Sequence, residues 1–347
     1  MDVYQLTRTL IDIESITGNE APVARFLETV LKEMASQYGG HVERMEVEPE
    51  RWNVLATFGE PWVTFSTHLD TVPPFVPARE DDEFIWGRGA CDVKGIIAAM
   101  IEAVRGLLAA GERNLGLLFV VGEERNSAGA YAAARNPRRS RFLINGEPTE
   151  NRLALGSKGA LRYELRAQGR MAHSAYPELG DSAIEKLLDA LERVRRLPLP
   201  VDEVLGPCTL NIGVISGGRA PNVIPDLAQA ELMFRLVGDP DPVRAMVAEA
   251  CRGLCEPHEV LCIPALRLGA VEGFDTTVVA YTTDIPAFQG AWGEPFLLGP
   301  GSIHAAHTLE ERVPKKQLAE AVALYRSLAA ALLKKAGAAT ATTATRQ

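Results

Sequence analysis

The seven residues "LGLLFVV", 115–121, carry no polar side chain. So short and continuous an apolar run reads as a strand buried on both faces, because a half-exposed strand would alternate. Such a strand needs a layer above and a layer below, which commits the surrounding chain to an α/β arrangement. "NVLATFG" (53–59), "WVTFST" (62–67) and "RFLIN" (141–145) read as further strands. Helical spacing fills the intervals. Leu6, Leu10, Ile11 and Ile13 form one apolar stripe, and Val23, Phe26, Leu27, Val30 and Leu31 form the next. "SITGNEAP" between them is a loop in which Asn19 or Glu20 can start the second helix. "DVKGIIAAMIEAVRGLLAAG", 92–111, is a third helix that stops at a glycine.

From about residue 157 the pattern changes. "GALRYELRAQG" alternates apolar and polar residues as a half-exposed strand does, and a helix follows over 181–196. "CTLNIGVISGG" and "DLAQAELMFRLVG" are two strands, 240–254 a second helix, and "VLCIPALRL" (260–268) a last strand. The order β-α-β-β-α-β describes a ferredoxin-like two-layer domain. After 268 the α/β character returns with "PFLLG" and a final helix from 314 to about 335. The 347 residues are too many for one ordinary core. The expected organisation is a catalytic domain with a mixed sheet in two parts, 1–156 and 269–336. It is interrupted by an inserted α+β domain over 157–268 and followed by a disordered or frayed tail over 337–347.

A net charge of −9 argues against a general binder of nucleic acid or of anionic membranes. No apolar run reaches membrane-spanning length. "MDVYQLTRTLIDIES" has early acids and no basic start before an apolar core, so it reads as an amphipathic helix rather than a signal peptide. Five cysteines in no disulfide-framework spacing fit reduced thiols and a cytoplasmic protein.

The chemistry gathers where the strands end. His68 and Asp70 follow "VTFST", Glu123 and Glu124 follow "LGLLFVVG", and Gly146 and Glu147 follow "RFLIN". "PFLLGPGSIHAA" leads to His307, and "WGRGACDVKG" puts Asp92 in a glycine-flanked turn before a helix. Open α/β sheets bind ligands beyond the carboxyl ends of their strands. Carboxylates crowded there would raise one another's pKa, and divalent cations remove that penalty. Two histidines with several carboxylates suit zinc, with cobalt or manganese able to substitute. The acids are too many for one tetrahedral ion and fit two ions about 3.5–4 Å apart.

In order, "HLDTVP", "GRGACDVKG", "GEE", "NGEPT" and "GPGSIHAAHTLEE" resemble the motif set of a dinuclear zinc family. That family comprises aminoacylase, acetylornithine deacetylase, succinyl-diaminopimelate desuccinylase and carboxypeptidase G. The resemblance covers nearly the whole chain and implies a zinc-peptidase-like catalytic domain with an inserted lid and dimerisation domain. It implies that Asp92 bridges the two metals, that His68 and Glu147 complete one site, and that Glu124 and His307 complete the other. It makes Glu123 the general base on the attacking water. Asp70 accepts the imidazole N–H of His68 and fixes its tautomer. In the inserted domain, "GRMAHSAYP" holds His173, which the resemblance sends into a partner subunit's active site to stabilise the oxyanion; that requires a homodimer. Asn222 of "RAPNVIP" and Arg235 of "MFRL" are implied to hold the substrate carboxylate. Backbone N–H groups of "GPGS", including Gly301, could meet it as well.

Plainer readings stand beside these. His304 competes with His307, and "AHTLEE" favours His307 as ligand. "CRGLCEPHEVLC" invites a structural zinc, but Cys251, Cys255, His258 and Cys262 fit no common zinc spacing. Cys251 and Cys255 on a helix, with Cys262 on a strand, are better taken as buried small hydrophobes. Cys91 beside Asp92 has no private base and is not a nucleophile. The family cleaves amides next to amino acids. "VVAYTTDIPAFQ" and the segment after it look most like acetylornithine deacetylases, since "TTDIP" at 282–286 stands where desuccinylases carry "GGTSD". The expected substrate is therefore a small N-acyl amino acid such as N-acetyl-L-ornithine. The alternatives are a desuccinylase, a metallo-dipeptidase or carboxypeptidase, and a non-catalytic binding relative.

Overall fold

The computed structural model describes residues 1–344, and side-chain surroundings through residue 338. The chain divides into two units. The first contains Met1–Leu155, Leu268–Thr277 and the chain from Thr283 onward, and the second contains Gly156–Arg267 and Val278–Thr282.

The first unit opens with helix α1 (Val3–Asp12), whose N-terminus is closed reciprocally by the side chains of Asp2 and Gln5. Helix α2 (Ala21–Tyr38) ends at Gly39, which takes the left-handed conformation. Strands β1 (His41–Glu48), β2 (Arg51–Phe58) and β3 (Val63–His68) follow. Then come α3 (Gly95–Ala109), β4 (Leu115–Val120), α4 (Ala128–Ala134) and β5 (Phe142–Asn145). All six residues of β4 are buried, as are all six of β3.

The second unit contains β6 (Gly159–Gln168), α5 (Ala183–Arg195), β7 (Thr209–Gly217), β8 (Leu227–Leu236), α6 (Asp241–Cys251) and β9 (Glu256–Ile263). Its sheet is antiparallel in the order β7-β8-β6-β9, the ferredoxin-like arrangement expected. Leu161, Leu165, Leu187, Val247 and Phe234 form its core, while Arg162, Glu164 and Arg166 alternate outward along β6. The cysteines depart from expectation. Cys251 is buried at the last turn of α6, but Cys255 lies beyond the helix, and both Cys255 and Cys262 are half-buried.

The chain then returns to the first unit with β10 (Glu294–Leu297) and α7 (Lys315–Ala344). The six-stranded sheet runs β1-β2-β4-β3-β5-β10. Its last four strands are parallel, with Val63 opposite both Leu115 and Phe142, and Phe142 opposite Glu294. Helices α1, α2, α3 and α7 cover one face. Helix α4 and the turn Ile285–Phe288 pack with Trp292 against Leu55, Leu118 and Val120 on the other. The layers that "LGLLFVV" demands are therefore both present.

Helix α3 starts at Gly95 rather than at 92, because Asp92 and Val93 have non-helical backbone angles. Helix α7 runs on through Ala344, so residues 337–344 are helical rather than a disordered tail. Residues 345–347 lie outside the described residues. Among the described residues no helix is long and apolar enough to cross a membrane.

Candidate metal centre

Parallel pairing delivers the ends of β4, β3, β5 and β10 to one edge of the sheet. His68 is the last residue of β3, opposite Val120 at the end of β4. Glu123 and Glu124 follow β4 after the turn at Gly122, and Glu147 follows β5 after Gly146. A Cβ at Gly146 would lie 2.4 Å from Ile96 and 2.5 Å from Met100 on α3, so any larger residue would force those side chains to move. His307 comes from the loop after β10 and holds a left-handed backbone with φ of 63°. A non-glycine residue in that region is uncommon and tends to mark functional sites.

Asp92 stands at the centre. Its Oδ1 lies 3.1 Å from His68 Nε2, and its Oδ2 lies 3.3 Å from His307 Nε2. One carboxylate thus turns a different oxygen to each histidine, as a bridging ligand must. His307 Nε2 also lies 3.1 Å from Glu124 Oε1. Ligand atoms of His68, Asp92 and Glu124 all fall within 4.8 Å of one another. The buried Oε1 of Glu147 has no hydrogen-bond partner, which a buried carboxylate oxygen does not tolerate without a cation or a proton. The donor set of imidazoles and carboxylates around an orphaned oxygen fits divalent metal ions.

The electrostatics agree. Burial raises the carboxyls of Glu123 and Glu147 well above the ordinary range, and the neighbouring acids add to it. Burial works against the Asp92 carboxylate, yet His307 and His68 hold it well below the usual range. Hydrogen bonds to Asp92 and Glu124 raise His307 to about 10. Burial opposes the charged form of His68, but Asp70 and Asp92 pull its pKa well above the usual value. A metal needs the free lone pair, so binding must displace protons from these rings. Zinc binding is therefore expected to release at least one proton per chain at pH 7.5. Titration calorimetry in buffers of different ionisation enthalpy reads this directly, and equal heats in all buffers would contradict it. The raised pKa of His307 has a second consequence. Its stabilisation of the metal-free fold is complete below its ordinary 6.5 and is lost as pH rises toward about 10.

Asp70 is wired differently from the expectation. His68 Nδ1 lies 2.9 Å from the backbone carbonyl of Asp70, and 3.5 Å from its Oδ1. The carbonyl is the better acceptor and fixes the ring. The carboxylate is engaged elsewhere: Oδ1 accepts from the N–H groups of Gly122 and Glu123, both at 3.0 Å, and Oδ2 from Glu124 N–H at 3.2 Å. Asp70 therefore holds the turn that carries Glu123 and Glu124. Burial opposes its charge, but His68 first, and then the hydrogen bonds from Thr17 and Glu124, keep its pKa below the usual value.

Two site residues were not foreseen. The carboxylate of buried Glu311 accepts from the backbone N–H groups of Cys91 and Asp92, each at 3.2 Å, and pairs with buried Arg88 at 2.6 Å. It anchors the turn that presents Asp92. Its position in "HTLEE" marked it as motif without showing its target. Asp284 is buried with no well-aligned hydrogen bond to either carboxylate oxygen, and burial raises it to about 7 although Ser127 works against the shift. It interacts electrostatically with Glu123 and Glu147. The only sequence signal was its place in "TTDIP". Cys91 is buried, and burial pushes its thiol pKa up, in keeping with an inert side chain.

The remaining expected residues are placed as follows. The N–H of Gly301 donates to the side-chain oxygen of Gln317 at 2.8 Å, so it is engaged within the protein rather than open to a substrate carboxylate. His304 lines an open cavity of about 490 Å³ with Phe84 and Arg312. His173, Asn222 and Arg235 belong to the second unit. His173 pairs with Val223 across a short two-stranded ladder, and Ser174 N–H donates to the Asn222 carbonyl at 3.0 Å, so these two residues are neighbours. Arg235 sits on β8 opposite Thr209 and Ala160.

A sheet whose parallel strand ends assemble histidines and carboxylates around one two-sided aspartate defines a metal-dependent hydrolase. The profile of peptidase family M20/M25/M40 matches residues 64–331. A probable carboxypeptidase of Aspergillus niger is 39% identical over 378 residues, covering 95% of this chain and 89% of that one. Among solved structures, the aminopeptidase PepT of Bacillus cereus superposes with a TM-score of 0.78 at 20% identity, covering 93% of this chain and 96% of that one. A Bacillus subtilis dinuclear metal binding peptidase of family M20 gives 0.68 at 14% identity, covering 96% and 98%. The chain belongs to peptidase family M20/M25/M40 and is a hydrolase of amide bonds.

Proposed function

We propose that the protein is a dinuclear zinc enzyme that cleaves the amide on the amino side of an amino acid with a free α-carboxylate. It would act as a carboxypeptidase on short peptides or as a hydrolase of N-acyl amino acids. These are one reaction with different acyl groups. The observation that carries the reading is the Asp92 arrangement, with one carboxylate oxygen facing each histidine and the half-buried carboxylate of Glu123 interacting with it. The carboxypeptidase name of the Aspergillus niger relative favours the peptide side.

His68 and Glu147 would hold one ion, Glu124 and His307 the other, and Asp92 both. Bound divalent ions supply Lewis acidity and lower the pKa of water. Glu123 takes a proton from the attacking water and gives it to the departing amine, acting as general base and then as general acid. The amine leaves as the C–N bond breaks, and the acyl carbon keeps the water's oxygen. In His173, Nδ1 accepts from Ala175 N–H at 3.1 Å, which leaves the ring proton on Nε2. That Nε2–H is the donor an oxyanion needs, offered to a second copy of the chain. Asn222 and Arg235 would receive the carboxylate. The dimer would form along β7, an edge strand of its sheet that exposes Val214 (47%) and Ile215 (57%).

A second reading, N-acetyl-L-ornithine deacetylation, rests on the stretch around "TTDIP". The test is hydrolysis by the zinc- or cobalt-loaded protein of an N-blocked dipeptide, its C-terminal amide, N-acetyl-L-ornithine, N-acetyl-L-citrulline and N-succinyl-diaminopimelate. Turnover of the free-acid dipeptide but not its amide supports the carboxypeptidase form, and preference for acetylornithine moves the acyl group to acetyl. Equal cleavage of free acid and amide would remove the carboxylate requirement and the proposal with it.

A further inference from the structure

Every residue of the metal centre lies within 64–331, the part of the chain the family profile matches. The segment between α1 and α2 lies outside it, yet it bonds Asp70, which holds the Glu123–Glu124 turn, and Lys94, which follows Asp92. Thr17 Oγ1 donates to Asp70 Oδ2 at 2.8 Å. The segment is docked there by backbone bonds on either side: Thr17 N–H to Thr71 O at 3.2 Å and Thr71 N–H to Ser15 O at 2.9 Å. At its other end, the carbonyl of Ile13 accepts from Lys94 Nζ at 2.6 Å. Lys94 is buried two residues after Asp92.

We infer that residues Ile13–Thr17 form a strap that sets the Glu123–Glu124 turn relative to the Asp92 turn, with Thr17 as a positioning residue for the general base. A carboxylate offers about four lone-pair directions. On Asp70 three are taken by Gly122, Glu123 and Glu124, and Thr17 takes the fourth. Thr17 is the only one of these four donors that does not belong to the catalytic turn. Without it the carboxylate loses the one of these four hydrogen bonds that ties it to a segment outside the turn, and the turn is held less firmly in place. The next residues brace the same turn from behind. Gly18 N–H donates to Glu20 Oε2 at 3.1 Å, and buried Glu20 pairs with Arg51 at 2.6 Å. The Arg51 guanidinium lies 3.1 Å from where a Cβ on Gly122 would sit. A small rotation of a catalytic group is enough to slow a reaction tenfold or more, because reacting atoms must stay within about 0.5 Å of their productive places.

This inference rests on Glu123 acting as the base in the proposed reaction, so its test carries one readout that needs no activity. Thr17→Val keeps the side chain's shape and removes the hydroxyl, and Thr17→Ser restores it. Thr17→Val is expected to lower kcat about tenfold while KM and zinc stoichiometry stay unchanged, with Thr17→Ser within about twofold of the natural protein. Hydrogen exchange at the amides of residues 122–124 is expected to quicken in Thr17→Val and to recover in Thr17→Ser. An unchanged kcat in Thr17→Val, or a loss that serine does not restore, overturns the inference. If the natural protein hydrolyses no substrate, the functional reading fails by itself and exchange alone decides the strap. Faster exchange then upholds it, and unchanged exchange overturns it.

Discussion

Replacing Glu123 with glutamine is expected to lower kcat by roughly 10²–10⁴-fold while the protein keeps its fold and its zinc. Glutamine fills the same volume and cannot accept the proton. The backbone N–H of residue 123 would still donate to Asp70, so the turn stays where it is. No metal ligand is removed. The variant should also be no less stable than the natural protein when metal-free, because it deletes a carboxylate that burial already disfavours in its charged form. Burial raises the folded-state pKa of Glu123, so the natural protein loses stability as pH rises from its ordinary 4.5 through that higher value; the glutamine variant lacks this loss. Rate, zinc stoichiometry and melting temperature measured on one preparation test all three statements. Retention of more than about a tenth of the rate would remove Glu123 as the base.

Asp70→Asn is expected to act through structure and metal together. The side chain is fully buried and its two oxygens receive three backbone N–H groups and a hydroxyl. An amide has one acceptor oxygen, and its NH₂ would face donors. At least one buried N–H loses its partner, for a destabilisation of about 2–4 kcal/mol at pH 7. The folded-state pKa of Asp70 is lowered, so its advantage over asparagine is present above the ordinary 3.8 and fades as pH falls through the lower value. Zinc affinity should fall about 10–100-fold, since the carbonyl that orients His68 belongs to the disturbed residue. Denaturant midpoints at pH 7 and pH 3.5, with zinc titrations at pH 7, measure both. Equal stability at pH 7 would show that the carboxylate does not hold the turn.

What the sequence disclosed and what it withheld divide along physical lines. Buried parallel strands announce themselves as apolar runs, and the residues just past them are forced to one edge, so His68, Glu124, Glu147 and His307 could be gathered before any coordinates. Edge strand β1 was overlooked because "HVERMEVE" keeps only Met45 buried and carries charges on its open side. Helix α4 has seven residues, five of them alanine, too few to show a period. Glu311, Asp284 and Thr17 went unassigned because their partners lie far along the chain, and no local pattern encodes a contact between residues 17 and 70 or 311 and 92. The role of Asp70 was half legible. Its spacing from His68 suggested a partnership, but only the structure shows that the backbone serves the histidine and the carboxylate serves the turn.

The insertion of the second unit also governs the order in which this protein can be made. Strand β5 waits for β10, whose residue 294 pairs with residue 142, and His307 follows later still. Closing a loop of roughly 150 residues instead of a short hairpin adds about 3 kcal/mol of chain entropy to that pairing. A ribosome that has released the chain through residue 282 has supplied a complete second unit but a first unit lacking strand β10, its longest helix and His307. The second unit is therefore able to fold during synthesis, whereas the metal centre is completed only after the C-terminal segment has emerged.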